Sequence, residues 1–262
     1  MGKSGQIFRT TKDKRSILKN IMILCFAIIA YSQIQAQQKE SEMIPDHFSI
    51  LASNFPDYCV IHGSPDSKSI ALTFDDGPSE VTEQVLDILE KYNSKATFFW
   101  QGQNLWKHQG LVKRAISSGH EFGNHSWSHL NGLPMETEKL WEEQVSPTTL
   151  VFDSLFGLDV NLYRPPFGAI SADQVEFIGN KGMKVVLWSL STFDWDIDRN
   201  SGSEIAERFK KNLHQGAIVL LHDVDFDHTS PEMLTGLEGI INFGQKHGYD
   251  FVTISEAIKR NQ

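Results

Sequence analysis

Cysteine is nearly absent: 262 residues contain only Cys25 and Cys59. Cys25 lies in an N-terminal stretch that reads as removable, so Cys59 would stand alone and no internal disulfide could staple the rest. Leu24 precedes Cys25, where a lipid-accepting cysteine needs a small residue. The apolar run Ile21–Tyr31 (IMILCFAIIAY) falls short of the ~20 residues of a membrane-spanning helix. Basic charge is scarce beyond residue 20. The net charge is −9, the first twenty residues carry six basic side chains against one acid, and the remainder is therefore −14. Such a surface repels phosphate backbones, which argues against nucleic acid as a partner and favours neutral or cationic polymers. No strand is followed by a glycine-rich nucleotide loop, and no internal repeat is visible.

The chain does begin with an address. A basic segment, a short apolar run and a small residue near Ala36 read as a signal peptide over residues 1–36. Export to a periplasmic or secreted location is expected, without stable membrane insertion after cleavage. An uncleaved anchor is the alternative. Residues 37–66 are polar and interrupted by Pro45, Pro56 and Pro65, and read as a tether with a first strand at Tyr58–Ile61. Residues 67–262 read as one domain in which short apolar runs alternate with helical patterns. Strands are expected at Ser69–Phe74, Ala96–Trp100, His120–Asn124, Asn161–Arg164, Lys184–Leu190, Ala217–His222 and Tyr249–Thr253. Between them, Ser79, Pro134, Ser203 and Ser230-Pro231 mark helix starts, Ser171 with Gln174 forms a capping box, and Ser255 caps a last helix. About seven βα units of this kind imply a parallel sheet covered by helices, either closed as a barrel or open.

Five polar clusters follow these strands. In Thr73-Phe74-Asp75-Asp76-Gly77-Pro78, neighbouring side chains of a regular strand would face opposite ways. Gly77 and Pro78 supply the backbone break that lets both carboxylates reach one site. His125 and His129, four apart, would share one face of a helical turn and, with one carboxylate, make a three-ligand site with an open position. In Arg164-Pro165-Pro166-Phe167-Gly168, the prolines stiffen a rim arginine that can orient a carboxylate, and the Phe167 N–H is free to meet an oxyanion. Asp194-Trp195 offers an acid to pair a histidine and an aromatic wall. Leu220-Leu221-His222 ends a buried strand in a candidate general acid.

Taken together, TFDDGPS, HSWSH, RPPFG, DW and LLH resemble the polysaccharide deacetylase family, the NodB-homology or carbohydrate esterase family 4 enzymes. ATFFWQGQN (Ala96–Asn104) is similar to the family's second-strand segment. The resemblance runs from about Ser69 to the C-terminus. It implies a distorted (β/α) barrel, which tips the choice between closed and open sheets. It also implies Asp75 as catalytic base, held by Arg164. Asp76, His125 and His129 would be ligands of a divalent metal, zinc first and cobalt, nickel or manganese as alternatives. His222 would be the acid, tuned by Asp194, and Phe167, Trp195 and Leu220 would contact substrate. The implied reaction removes N-acetyl groups from an acetylglucosamine polymer such as peptidoglycan or chitin. An O-acetyl esterase on xylan and a non-catalytic carbohydrate binder are the alternatives. One departure stands out: Ser191 occupies a position where family members often carry a further aspartate. His120 and His228 read as capping or solvated residues without a role in the chemistry.

Overall fold

The computed structural model describes residues 44–259; the expected signal segment and the start of the tether lie outside them. Among the described residues, nine strands form one sheet in which every pairing is parallel. They are β1 (Cys59–Val60), β2 (Ser69–Asp75), β3 (Ala96–Trp100), β4 (Glu121–Asn124), β5 (Leu162–Tyr163), β6 (Lys184–Val186), β7 (Leu190–Ser191), β8 (Ala217–His222) and β9 (Asp250–Phe251). The order across the sheet is β1-β6-β5-β4-β3-β2-β8-β7, with β9 added on β2.

That order forces a curl. β6 and β7 are six strand steps apart across the sheet, which would span about 29 Å if it were flat. Yet Val186 and Leu190 are four residues apart in the chain, a reach of at most ~14 Å. The sheet therefore bends round into a distorted (β/α) barrel. The apolar segment Lys184–Leu190, expected as one strand, is divided between β6, beside the edge strand β1, and β7 at the other end of the order. The Leu187 N–H donates to Val60 O on one side, and the Ser189 N–H donates to Ile218 O on the other.

Strand alternation then sorts the core. On β2, Ile70, Leu72 and Phe74 join Phe98, Trp100 and Phe122 in the layer beneath the helices. Ala71 faces the barrel interior with Phe99, Ile218 and Leu220. Thr73 and Asp75 share the parity of Ala71, so the apolar pattern of β2 points Asp75 inward at the strand's end.

Several helix starts differ from expectation. Residues 46–54, within the stretch read as tether, form the helix Asp46–Asn54, which buries Phe48 and Leu51. Burying Phe48 alone contributes about 2–3 kcal/mol. The helix expected from Pro134 begins at Thr137, and a π-helical turn at Trp141–Val145 precedes the segment Ser146–Phe156 with Pro147 in its first turn. Ser201, not Ser203, caps the helix Gly202–Asn212. Thr253, not Ser255, accepts the Glu256 N–H ahead of Ile254–Lys259. The Ser171/Gln174 capping box forms as expected. Among the described residues, no helix is long and apolar enough to cross a membrane.

Candidate metal centre and active site

The carboxyl ends of β2, β4, β5, β7 and β8 bring the sequence-predicted polar residues to one rim, where barrels of this type carry their chemistry. Asp75 ends β2 facing inward. Asp76 then takes a left-handed backbone, φ 74°, and this turns the next side chain to the same site rather than the opposite face. The Asp76 N–H donates to Phe99 O at 3.2 Å.

His125 and His129 do not lie on a helical turn. They sit on an irregular loop after β4, in which Ser126 and His129 adopt positive φ of 66° and 60°. Two local bonds hold that shape. Asn124 Oδ1 accepts the Ser126 N–H, and Ser126 Oγ accepts the His129 N–H. The expected convergence is reached by a different backbone. His129 Nε2 lies 3.1 Å, and His125 Nε2 3.5 Å, from Asp76 Oδ1.

These three ligand atoms lie within 4.8 Å of one another, and they fit a divalent cation on chemical grounds. The His125 Nδ1 faces Arg164 O at 2.8 Å, so Nδ1 carries the proton and Nε2 keeps its lone pair for a metal. Burial pushes His125 down to about 3, against the opposing pull of Asp76, so its imidazole is neutral. Two imidazole nitrogens and one carboxylate oxygen match a zinc site with an open position. Of the three side chains, His129 is the one that reaches solvent.

Arg164 is fully buried. Its Nη1 donates to Asp75 Oδ1 at 2.8 Å and to Thr73 Oγ1 at 2.7 Å, its Nε to Val186 O and its Nη2 to Leu187 O. The guanidinium stacks 4.1 Å above the Phe99 ring. Burial raises the Asp75 carboxyl above the usual carboxylate range, while Arg164 and then His222 pull it back. The Asp75 Oδ2 faces the metal side, 3.8 Å from His125 Nε2. Burial thus leaves Asp75 more basic than an ordinary aspartate, and the arginine keeps it oriented.

On the opposite wall, Asp194 receives His222 twice: Oδ2 accepts its backbone N–H at 2.8 Å and Oδ1 its Nδ1–H at 3.1 Å. Burial alone would lower the imidazole, but Asp194, with help from Asp76 and Asp75, raises it to about 9. The His222 imidazole therefore holds its second proton at neutral pH. Trp195 meets its ring edge-on at 5.2 Å, and Phe226 lies 5.4 Å away. Leu220 is buried in β8. Phe167 has φ 61°, an exposed ring 4.6 Å from that of His129, and an N–H with no partner among the described residues. The Ser191 hydroxyl is likewise buried without a partner among the described residues.

A profile of the polysaccharide deacetylase family matches residues 62–186. A peptidoglycan-N-acetylglucosamine deacetylase of Bacillus cereus is 38% identical over 196 residues, which cover 73% of this chain and 89% of that protein. The chain belongs to the polysaccharide deacetylase family. A second relative, the peptidoglycan-N-acetylglucosamine deacetylase PgdA of Listeria monocytogenes, is 39% identical over 191 residues. These cover 72% of this chain, which spans only 39% of that longer protein. The solved Bc1960 peptidoglycan N-acetylglucosamine deacetylase superposes with a TM-score of 0.72 at 32% identity, covering 78% of this chain and 93% of that one.

Sequence reasoning passed over some of this deacetylase fold's polar contacts. Gln101 donates from Nε2 to Asp76 Oδ1 at 3.0 Å. Asp223 is buried at 0% exposure, and its carboxylate accepts three hydrogen bonds. The ATFFWQGQN segment contains Gln101 and so offered a signal. Asp223 offered none beyond its place after His222. His120 is buried, and its Nδ1 accepts the Ala96 N–H.

Proposed function

We propose that this chain is a metal-dependent hydrolase that removes N-acetyl groups from an acetylglucosamine polymer of the peptidoglycan or chitin type. The observation that carries the reading is one rim with three parts. It holds a three-ligand metal cradle, a buried carboxylate clamped by Arg164 beside it, and a protonated histidine opposite. The net charge of −14 beyond the leader suits an exported enzyme acting on neutral polymers.

A divalent cation, zinc by preference, held by Asp76, His125 and His129 would supply Lewis-acid polarisation of the acetyl carbonyl and acidify water. Asp75 Oδ2 accepts a proton from the attacking water, with Arg164 holding the other oxygen. The Phe167 N–H donates to the developing oxyanion. The His222 Nε2–H protonates the leaving nitrogen while Asp194 fixes the Nδ1 tautomer, so acetate and a free amine result. Trp195 and Leu220 wall the space for the acetyl methyl. An amide nitrogen must gain a proton before it leaves, whereas an ester oxygen leaves more readily, and a histidine that still carries its proton at neutral pH supplies what the amide requires.

The test is acetate release from acetylated chitooligosaccharides, peptidoglycan and acetylxylan, each with and without a chelator. Chelator-sensitive release from the first two supports the reading. Release from acetylxylan alone would transfer the assignment to an esterase. No release from any, with cation bound, would leave a carbohydrate-binding protein.

A further inference from the structure

Asp223 follows His222 at the end of β8, and its side chain is fully buried. A buried carboxylate is costly unless donors surround it. Here they come from three separate places. The Gly77 N–H donates to Oδ1 at 3.1 Å, the Thr82 hydroxyl to Oδ2 at 2.6 Å, and the Trp100 indole N–H to Oδ2 at 2.9 Å. The backbone joins in: the Asp223 N–H donates to Asp75 O, and the Ser79 hydroxyl donates to Asp223 O at 2.6 Å. A Cβ on Gly77 would stand 2.4 Å from both carboxylate oxygens, so the turn after Asp76 is shaped around this acid. The next peptide unit is also fixed, because Gly77 O accepts the Gln101 N–H at 3.0 Å.

We propose that Asp223 is a positioning residue that clamps the Asp75-Asp76-Gly77 turn and holds Asp76 in its left-handed, metal-facing conformation. The inference rests on the deacetylase reading given above and adds a residue that links the two halves of the site. The chain step that ends in the proton donor also anchors the turn that carries base and ligand. Asparagine cannot replace the acid. Whichever oxygen becomes an amide nitrogen then faces a donor, either the Gly77 N–H or the Trp100 indole.

The test uses full-length protein stripped by chelator and titrated calorimetrically with zinc chloride. Unfolding temperatures of the stripped protein and the kcat and KM for acetate release accompany it. Asp223→Asn should weaken zinc binding ~10–100-fold and lower kcat with little change in KM. Should Asp223→Asn fail to fold, Thr82→Val removes one donor and should move zinc affinity the same way, while Thr82→Ser restores it. Variants that lose only thermal stability, with zinc affinity and kcat unchanged, would overturn the proposal. Wild-type protein that takes up no zinc would instead overturn the deacetylase reading, and the clamp with it.

Discussion

The two ends of the barrel bend their backbone by opposite means. Turns that lead from helix into strand use residues suited to a positive φ: Asn93, Gly119, Gly157, Gly182, Gly216 and Gly248. Loops that lead from strand into helix place side-chain-bearing residues there: Asp76, Ser126, His129, Phe167, Phe193, Asp227 and His228. Gly168 is the exception, and it lies against Phe48, which a Cβ would meet at 2.4 Å. A left-handed conformation costs a residue with a Cβ roughly 1–2 kcal/mol. Apart from Asn93, the helix-to-strand end avoids that cost, and the rim accepts it at Asp76, Ser126, His129 and Phe167 around the candidate site.

The largest effect expected from breaking this division is at the rim. Asp75→Asn should lower kcat by ~10²–10⁴-fold while bound zinc, measured by metal analysis, stays stoichiometric. Full activity in that variant would remove Asp75 as the base. At the other end, Gly216→Ala places a Cβ 2.6 Å from Ser64 O at φ 71°. It should cost about 2–4 kcal/mol of unfolding free energy in denaturant melts, with kcat unchanged in the folded fraction.

The acid wall gives a pH signature. His222 has a raised pKa, so its proton is present at neutral pH and lost as pH rises through about 9. A cation beside Asp76 moves that limb somewhat lower. Asp194→Asn removes the principal raising influence and leaves burial, which lowers the imidazole. The alkaline limb of kcat should therefore shift to lower pH than in wild type, and an unmoved limb would uncouple Asp194 from His222.

The smallest pair of effects isolates conformation itself. Phe167→Gly relieves a positive φ at an exposed residue. Its folded-state gain is offset by about 0.5–1 kcal/mol of chain entropy, so the melting temperature should hold or rise slightly while KM increases. Gly182→Ala meets nothing within 4 Å and has φ 87°, so it should lose about 1 kcal/mol and no activity. If both variants changed activity equally, the contrast between the ends would not be functional.

What was legible in the sequence was local or periodic. The Ser171/Gln174 capping box and the buried strands Ala96–Trp100 and Ala217–His222 appear where composition and spacing put them. The helix Asp46–Asn54 was missed because Phe48 and Leu51 are its only buried residues, between prolines that read as loop. The four-residue spacing of His125 and His129 suggested a helical turn. A loop with two left-handed residues brings the rings together as well, and spacing cannot separate the two. Asp223 was invisible because its donors Gly77, Thr82 and Trp100 lie 146, 141 and 123 residues away in the chain.

The segment 184–191 crosses from β6, beside the edge strand β1, to β7 at the far end of the order, and Arg164 is bonded to it there. Its Nε and Nη2 hold Val186 O and Leu187 O at the point of crossing, while Nη1 holds Asp75. A single guanidinium thus both fastens the seam and aims the proposed base. An inactive Arg164 variant would be ambiguous on its own, because lost closure and lost chemistry look alike in a turnover assay. Arg164→Lys keeps the positive charge but supplies one ammonium where three nitrogens were engaged, so its melting curve and its kcat must be read side by side to apportion the damage.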